Sequence, residues 1–87
     1  MGMADVSRIT LTLYSRNWCH LCEDMRKGLH DLQARLPFEL TVVDVDSNSD
    51  LEQRYGELVP LLAHGDRELC HYHLNPAEVT DYLLKFR

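Results

Sequence analysis

The chain has 87 residues, 45% of them hydrophobic and 26% charged, and a formal net charge of −5. That is enough for one domain with one modest core. The acidic balance, with no lysine/arginine cluster, argues against nucleic acid as a partner, and no apolar run approaches the roughly 20 residues of a membrane span.

Residues 1–8 read as a flexible N-terminal arm and residues 9–87 as a single domain. Ile9 to Tyr14 alternates apolar and polar residues and is rich in β-formers, which predicts a strand. Ser15 to Trp18 form a short loop. From Cys19 the period becomes helical, with Leu21, Met25, Leu29, Leu32 and Leu36 as one apolar stripe. Gly28 weakens this helix by up to about 1 kcal/mol relative to alanine, and Pro37 stops it. Phe38 to Val45 follows as a second strand, whose Val42, Val43 and Val45 predict burial on both faces, as in a central parallel strand. Ser49-Asp50-Leu51-Glu52 has the form of a capping box and opens a short helix ending near Tyr55-Gly56. Val59 to Ala63 is a third strand entered through Pro60. A turn at His64 to Arg67, with Gly65 suited to a positive φ, leads to a fourth, antiparallel strand over Glu68 to Tyr72. Asn75-Pro76-Ala77-Glu78 caps a last helix with Val79, Tyr82, Leu83 and Phe86 on one side. The order is β-α-β-α-β-β-α, an α/β domain with a four-stranded mixed sheet and helices on both faces.

Cys19 and Cys22 carry the chemistry. If a helix starts near Cys19, positions i and i+3 lie one turn apart on one face, close to the Cα separation of ~5.5 Å that a disulfide needs. A Cys-x-x-Cys beside a strand–helix–strand pattern reads as a redox dithiol. The chain has three cysteines, too few for a disulfide scaffold. With no basic-then-apolar leader at the N-terminus, a reducing cytoplasm is the expected location. Cys19, at the helix N-terminus, faces unpaired N–H groups and the positive end of the helix dipole, which favour its thiolate. Arg16 upstream and a protonated His20 would add charge. Cys22, one turn in and beside Glu23 and Asp24, should keep its proton longer.

Tyr14-Ser15-Arg16, Cys19-His20-Leu21-Cys22 and Leu58-Val59-Pro60, in this element order, resemble the glutaredoxin branch of the thioredoxin-fold family over residues 9–87. The resemblance implies a thioredoxin-like three-layer sandwich and a cis bond at Pro60 facing the dithiol. It also implies thiol–disulfide oxidoreductase activity, with Cys19 as nucleophile and Cys22 as resolving thiol. Val59 would then offer its backbone to an extended substrate as an added strand, and Trp18 an apolar surface beside Cys19. Arg16, Trp18, Val59 and Pro60 are thus the candidate substrate-binding residues, and His20 a modulator. Departures are equally plain. His20-Leu21 stands where glutaredoxins commonly carry Pro-Tyr. Leu58 stands where they usually have Thr, and Cys70-His71-Tyr72 where they often carry Gly-Gly and an acid. These weaken glutathione, which remains a candidate co-substrate; no other cofactor is implied. The expected partner is a protein or low-molecular-weight disulfide, and the expected state a monomer.

Two alternatives come from other classes. One is a non-catalytic thioredoxin-fold binding module that keeps its dithiol. The other is a metal carrier using Cys19 and Cys22, completed by Cys70, His71 or His73. For the remaining polar residues the simpler readings are preferred. Cys70 is read as a small buried residue and His30 and His64 as solvent-facing. Asp44, Asp46 and Asp50 are read as a solvated turn.

Overall fold

The computed structural model describes residues 8–86. β1 (Thr10–Ser15) leads to α1 (His20–Gln33) and β2 (Glu39–Asp44). A 3-10 turn (Val45–Ser47) and α2 (Ser49–Tyr55) follow, then β3 (Leu61–His64), β4 (Arg67–His71) and α3 (Pro76–Phe86). The expected order is present. The arm expected at residues 1–8 lies, except for Arg8, outside the described residues.

The sheet runs β2-β1-β3-β4. β1 pairs parallel to β2 and antiparallel to β3, and β3 pairs antiparallel to β4. Strand alternation sends Leu11 and Leu13 to one face. There, with Leu62 opposite Leu13, they join Met25, Leu29 and Leu32 of α1 and Val79 and Leu83 of α3 in the core. On the other face Tyr14 stacks on Tyr55 of α2, ring centroids 4.2 Å apart. Leu61, paired with Tyr14, is buried on that side as well. Three layers result, with the loops after β1 and before β3 meeting at one end.

Several expectations are corrected. β2 is an edge strand rather than a central one, and Val42 is 49% exposed. Of the three valines expected to be buried, only Val45 is, just past the strand, with Phe38 buried just before it. On α1 the buried positions are Cys22, Met25, Leu29 and Leu32, and Leu21 is exposed. Counting back from Met25, both i−3 and i−4 fit a helical stripe, and the side facing the sheet takes Cys22. The helix also ends earlier, at Gln33. Residues 34–36 form a turn in which the Leu36 N–H donates to Leu32 O at 2.9 Å, keeping Leu36 against the core. The cap of α2 is Asn48 rather than Ser49, its side chain accepting from the N–H groups of Asp50 and Leu51. Asn75 caps α3 as expected, accepting from Glu78 N–H at 3.1 Å.

His64 is not solvent-facing. Its ring is half-buried, with Nδ1 2.6 Å from Tyr82 Oη and the ring edge-on to Phe86. It falls on the same side of β3 as Leu62, the side α3 covers. Phe86 is itself 53% exposed, so α3 ends in a partly open aromatic cluster. Gly65 takes φ +60 in the hairpin turn, as the sequence requires. Gly28 has a packing reason: a Cβ there would lie 2.6 Å from the tip of Leu74, in the segment before α3.

Candidate functional site

Cys19 is the N-cap of α1, in extended conformation (φ −118, ψ 109). Its Sγ accepts the Cys22 N–H at 3.1 Å, and its carbonyl accepts the Glu23 N–H. A helix start leaves its first N–H groups unpaired, and here one of them is spent on sulfur. In the reduced protein the same N–H would donate to a thiolate, favouring the charged form. Cys22 is 5% exposed, whereas Cys19 is partly open to solvent. The Cα atoms lie 5.2 Å apart and the sulfurs are at disulfide distance. One thiol is reachable and the other is covered behind it.

Trp18 sets the approach. Its backbone is left-handed (φ 62) and its side chain fully exposed. For a bulky residue this conformation costs roughly 1–2 kcal/mol; here it turns the chain from the end of β1 into the extended cap. Trp18→Gly removes that cost and adds roughly 0.5–1 kcal/mol of unfolded-chain entropy. The variant should therefore match or slightly exceed the parent in stability, which urea unfolding measures. An ordinary destabilisation would show that the turn carries no strain.

Arg16 does not reach toward Cys19 as a free charge. Its Nε and Nη2 donate to the two carboxylate oxygens of Asp46 at 3.1 and 3.0 Å. Nη2 also lies 3.2 Å from Glu52, and Nη1 donates to Gly56 O at 3.1 Å. The parallel register explains the pairing. Ser15 is opposite Asp44, so one further step brings Arg16 beside the turn that carries Asp46. Arg16 thereby joins the loop leading to Cys19, the turn after β2 and the end of α2. Asp46, read from the sequence as part of a solvated turn, is half of this link. His20, at the first position of α1, is exposed.

The Val59-Pro60 bond is cis, as the resemblance implied, and Pro60 is buried. Because Leu61 pairs with Tyr14, continuing the antiparallel register one step sets Pro60 beside Ser15, at the sheet end from which the dithiol loop departs. Tyr72 holds this segment. Its N–H donates to Pro60 O and its Oη to Glu57 O, each at 2.7 Å. Tyr72 is the other non-glycine residue with positive φ (65) among the described residues. Sequence reading missed it, since no local pattern demands a left-handed tyrosine.

Cys70 sits opposite Leu62 and packs against the core. Burial pushes its thiol above the ordinary value of 9.0; an N–H of Asn75 acts the other way, and Glu68 and Glu78 add to the rise. Such a raised thiol stays protonated in the fold. Its contribution to stability is complete below the ordinary value and is lost as pH rises through the shifted one. In the reduced protein, iodoacetamide at neutral pH should therefore label Cys19 well before Cys70. Mass spectrometry of the timed digest reads the order, and early labelling of Cys70 would contradict its burial. His71 pairs with Glu68. Among the described residues, no three His, Cys, Asp or Glu side chains are grouped to hold a metal ion. No helix there is long and apolar enough to cross a membrane.

Residues 10–84 match the model of the Glutaredoxin-like domain (DUF836) family. The chain belongs to this glutaredoxin-like family. The solution structure of protein Ne2328 from Nitrosomonas europaea is 41% identical, with TM-score 0.75 over 85% of this chain and 89% of that one. The X-ray structure of XcR50 from X. campestris is 32% identical, with TM-score 0.70 over 86% and 96%. Thioredoxin from Fasciola hepatica, 17% identical with TM-score 0.61 over 95% and 85%, shares the fold. The search of curated proteins gave no match. The domain thus has a thioredoxin-like fold, and its paired cysteines fit a redox role.

Proposed function

We propose that this glutaredoxin-like protein is a dithiol–disulfide oxidoreductase, with Cys19 as nucleophile and Cys22 as resolving thiol. The observation that carries the reading is the cap of α1. An accessible sulfur receives a backbone N–H at the positive end of a helix, with a covered second sulfur within bonding reach. A surface cleft that includes Arg16, Trp18, Cys19 and Cys22 opens on this sulfur.

The steps balance as follows. The Cys19 thiolate attacks one sulfur of the substrate disulfide. The substrate S–S bond breaks, one substrate thiolate leaves and takes a proton, and a mixed disulfide forms on Cys19. Cys22 then gives up its proton and attacks Sγ of Cys19, expelling the second substrate thiolate. The substrate gains two electrons and two protons, and the protein is left with the Cys19–Cys22 bridge. A thiol reductant must return the electrons; the reaction asks for no other cofactor. Trp18, Val59 and Pro60 form the substrate side of this reading, with His20 beside the nucleophile. Arg16 serves by holding the Cys19 loop to the turn of Asp46 and to Gly56. A reducing compartment such as the cytoplasm, and a single copy of the chain, suffice for it.

The test is a single turnover. Protein reduced and freed of reductant is mixed with an equimolar peptide disulfide, then acid-quenched and weighed. The expected result is loss of two hydrogens from the protein as two peptide thiols appear. A dithiol that persists beside intact peptide would leave a binding module as the better account. The same preparation analysed for bound metal addresses the carrier alternative.

A further inference from the structure

The two guanidinium groups that line the dithiol cleft are engaged. Arg16 is held by Asp46 and Glu52. Arg26 lies 2.7 Å from Glu23, whereas Lys27, the next residue, has no ion-pair partner among the described residues. The anions are not all matched. Among the described residues, Asp24, exposed on α1 just past its first turn, has no ion-pair partner, and neither has Asp44 at the end of β2. Glu57, on the loop leading to Pro60, is likewise unpaired and exposed. Carboxylates therefore outnumber cations at this end, in keeping with the net charge of −5. Apolar surface lies among them. Trp18 stands fully exposed beside Cys19, and Leu21 and Tyr72, both exposed, line one shallow depression with Asp24.

We propose that the preferred substrate is a disulfide in a cationic polypeptide segment, with basic side chains facing Asp24 and Glu57 and an apolar side chain against Trp18 or Leu21. This rests on the oxidoreductase reading above and adds the substrate's chemical class. A field of one sign at a reactive cleft raises the encounter rate of oppositely charged partners and lowers that of like-charged ones. Glutathione brings two carboxylates, and Arg16 and Arg26, the guanidinium groups lining the cleft, are already bonded to carboxylates of the protein. Oxidised glutathione is therefore a disfavoured substrate. The chemistry is the exchange already balanced, with the protein's own reduced dithiol as the source of both electrons.

The experiment uses the full chain, reduced and freed of reductant. It is mixed with symmetrical disulfides of a short cysteine peptide flanked by lysine, glutamine or glutamate, and separately with oxidised glutathione. Trp18, the only tryptophan, reports the reaction by fluorescence. Each rate is divided by that of dithiothreitol with the same disulfide, which removes the effect of flanking charge on the leaving thiol. At about 20 mM salt the normalised rates should fall in the order lysine, glutamine, glutamate. The ends should be roughly tenfold apart, and the spread should close at about 0.5 M salt. Oxidised glutathione should fall with the glutamate peptide. The double variant Asp24→Asn/Glu57→Gln should narrow the spread. A glutamate peptide or oxidised glutathione reacting as fast as the lysine peptide would overturn the proposal, as would a spread indifferent to salt. Failure to reduce any of the disulfides would instead overturn the oxidoreductase reading, and this one with it.

Discussion

Cys19→Ser is expected to lose disulfide reduction by at least roughly a thousandfold, because a serine hydroxyl supplies neither the thiolate nor the sulfur chemistry of the first step. Cys22→Ser should behave differently. Its Cys19 still attacks, but nothing displaces the product, so a mixed disulfide accumulates. The division follows from the cap of α1, where Cys19 is partly open and Cys22 is 5% exposed. Mass spectrometry of each variant after mixing with a peptide disulfide decides the roles. An adduct should form on the Cys22→Ser protein and none on Cys19→Ser. An adduct on Cys22 of the Cys19→Ser variant would reverse the assignment.

Leu13→Ala should produce the largest loss of stability. Leu13 is wholly buried on β1, opposite Leu62, in the core that α1 and α3 cover. Buried Leu→Ala changes cost about 2–5 kcal/mol, depending on how far the cavity collapses. A domain of this size has of order 5–15 kcal/mol in all. Leu21→Ala is the control. The sequence set both leucines on apolar faces, but Leu21 is 37% exposed, and its removal should cost no more than about 0.5 kcal/mol. Urea unfolding of the two variants measures the difference. Equal losses would mean that α1 buries Leu21 after all.

This contrast shows what the sequence could and could not disclose. β1 was legible because its alternation is unbroken from Ile9 to Tyr14. α3 was legible because Asn75-Pro76 is a strong start signal. The dithiol was legible because a cysteine pair at i and i+3 has few other uses beside a strand. The rotation of α1 by one position was not, because Leu21 and Cys22 both fit a period of about 3.6 residues and only the sheet chooses between them. The place of β2 was not legible either. A valine-rich run suits an edge strand as well as a central one, and the order β2-β1-β3-β4 is decided by where β3 docks.

The links around the site were hidden for a related reason. Arg16 and Asp46 are thirty residues apart and meet because β1 and β2 lie in parallel register. Tyr72 reaches Glu57 and Pro60 across the β3–β4 hairpin, in a backbone conformation that its residue type disfavours. Neither contact leaves a local pattern. They surround the one feature that does, and they fix where the loops on either side of Cys19 sit.

A redox titration of the dithiol tests the central claim most directly. The protein is equilibrated in mixtures of reduced and oxidised dithiothreitol, quenched with acid, then unfolded, alkylated and mapped by mass spectrometry. A single two-electron transition is predicted, interconverting Cys19 and Cys22 between two alkylated thiols and one bridge, with Cys70 alkylated throughout. Cys19 and Cys22 remaining free under every oxidising mixture, or a bridge that includes Cys70, would contradict it.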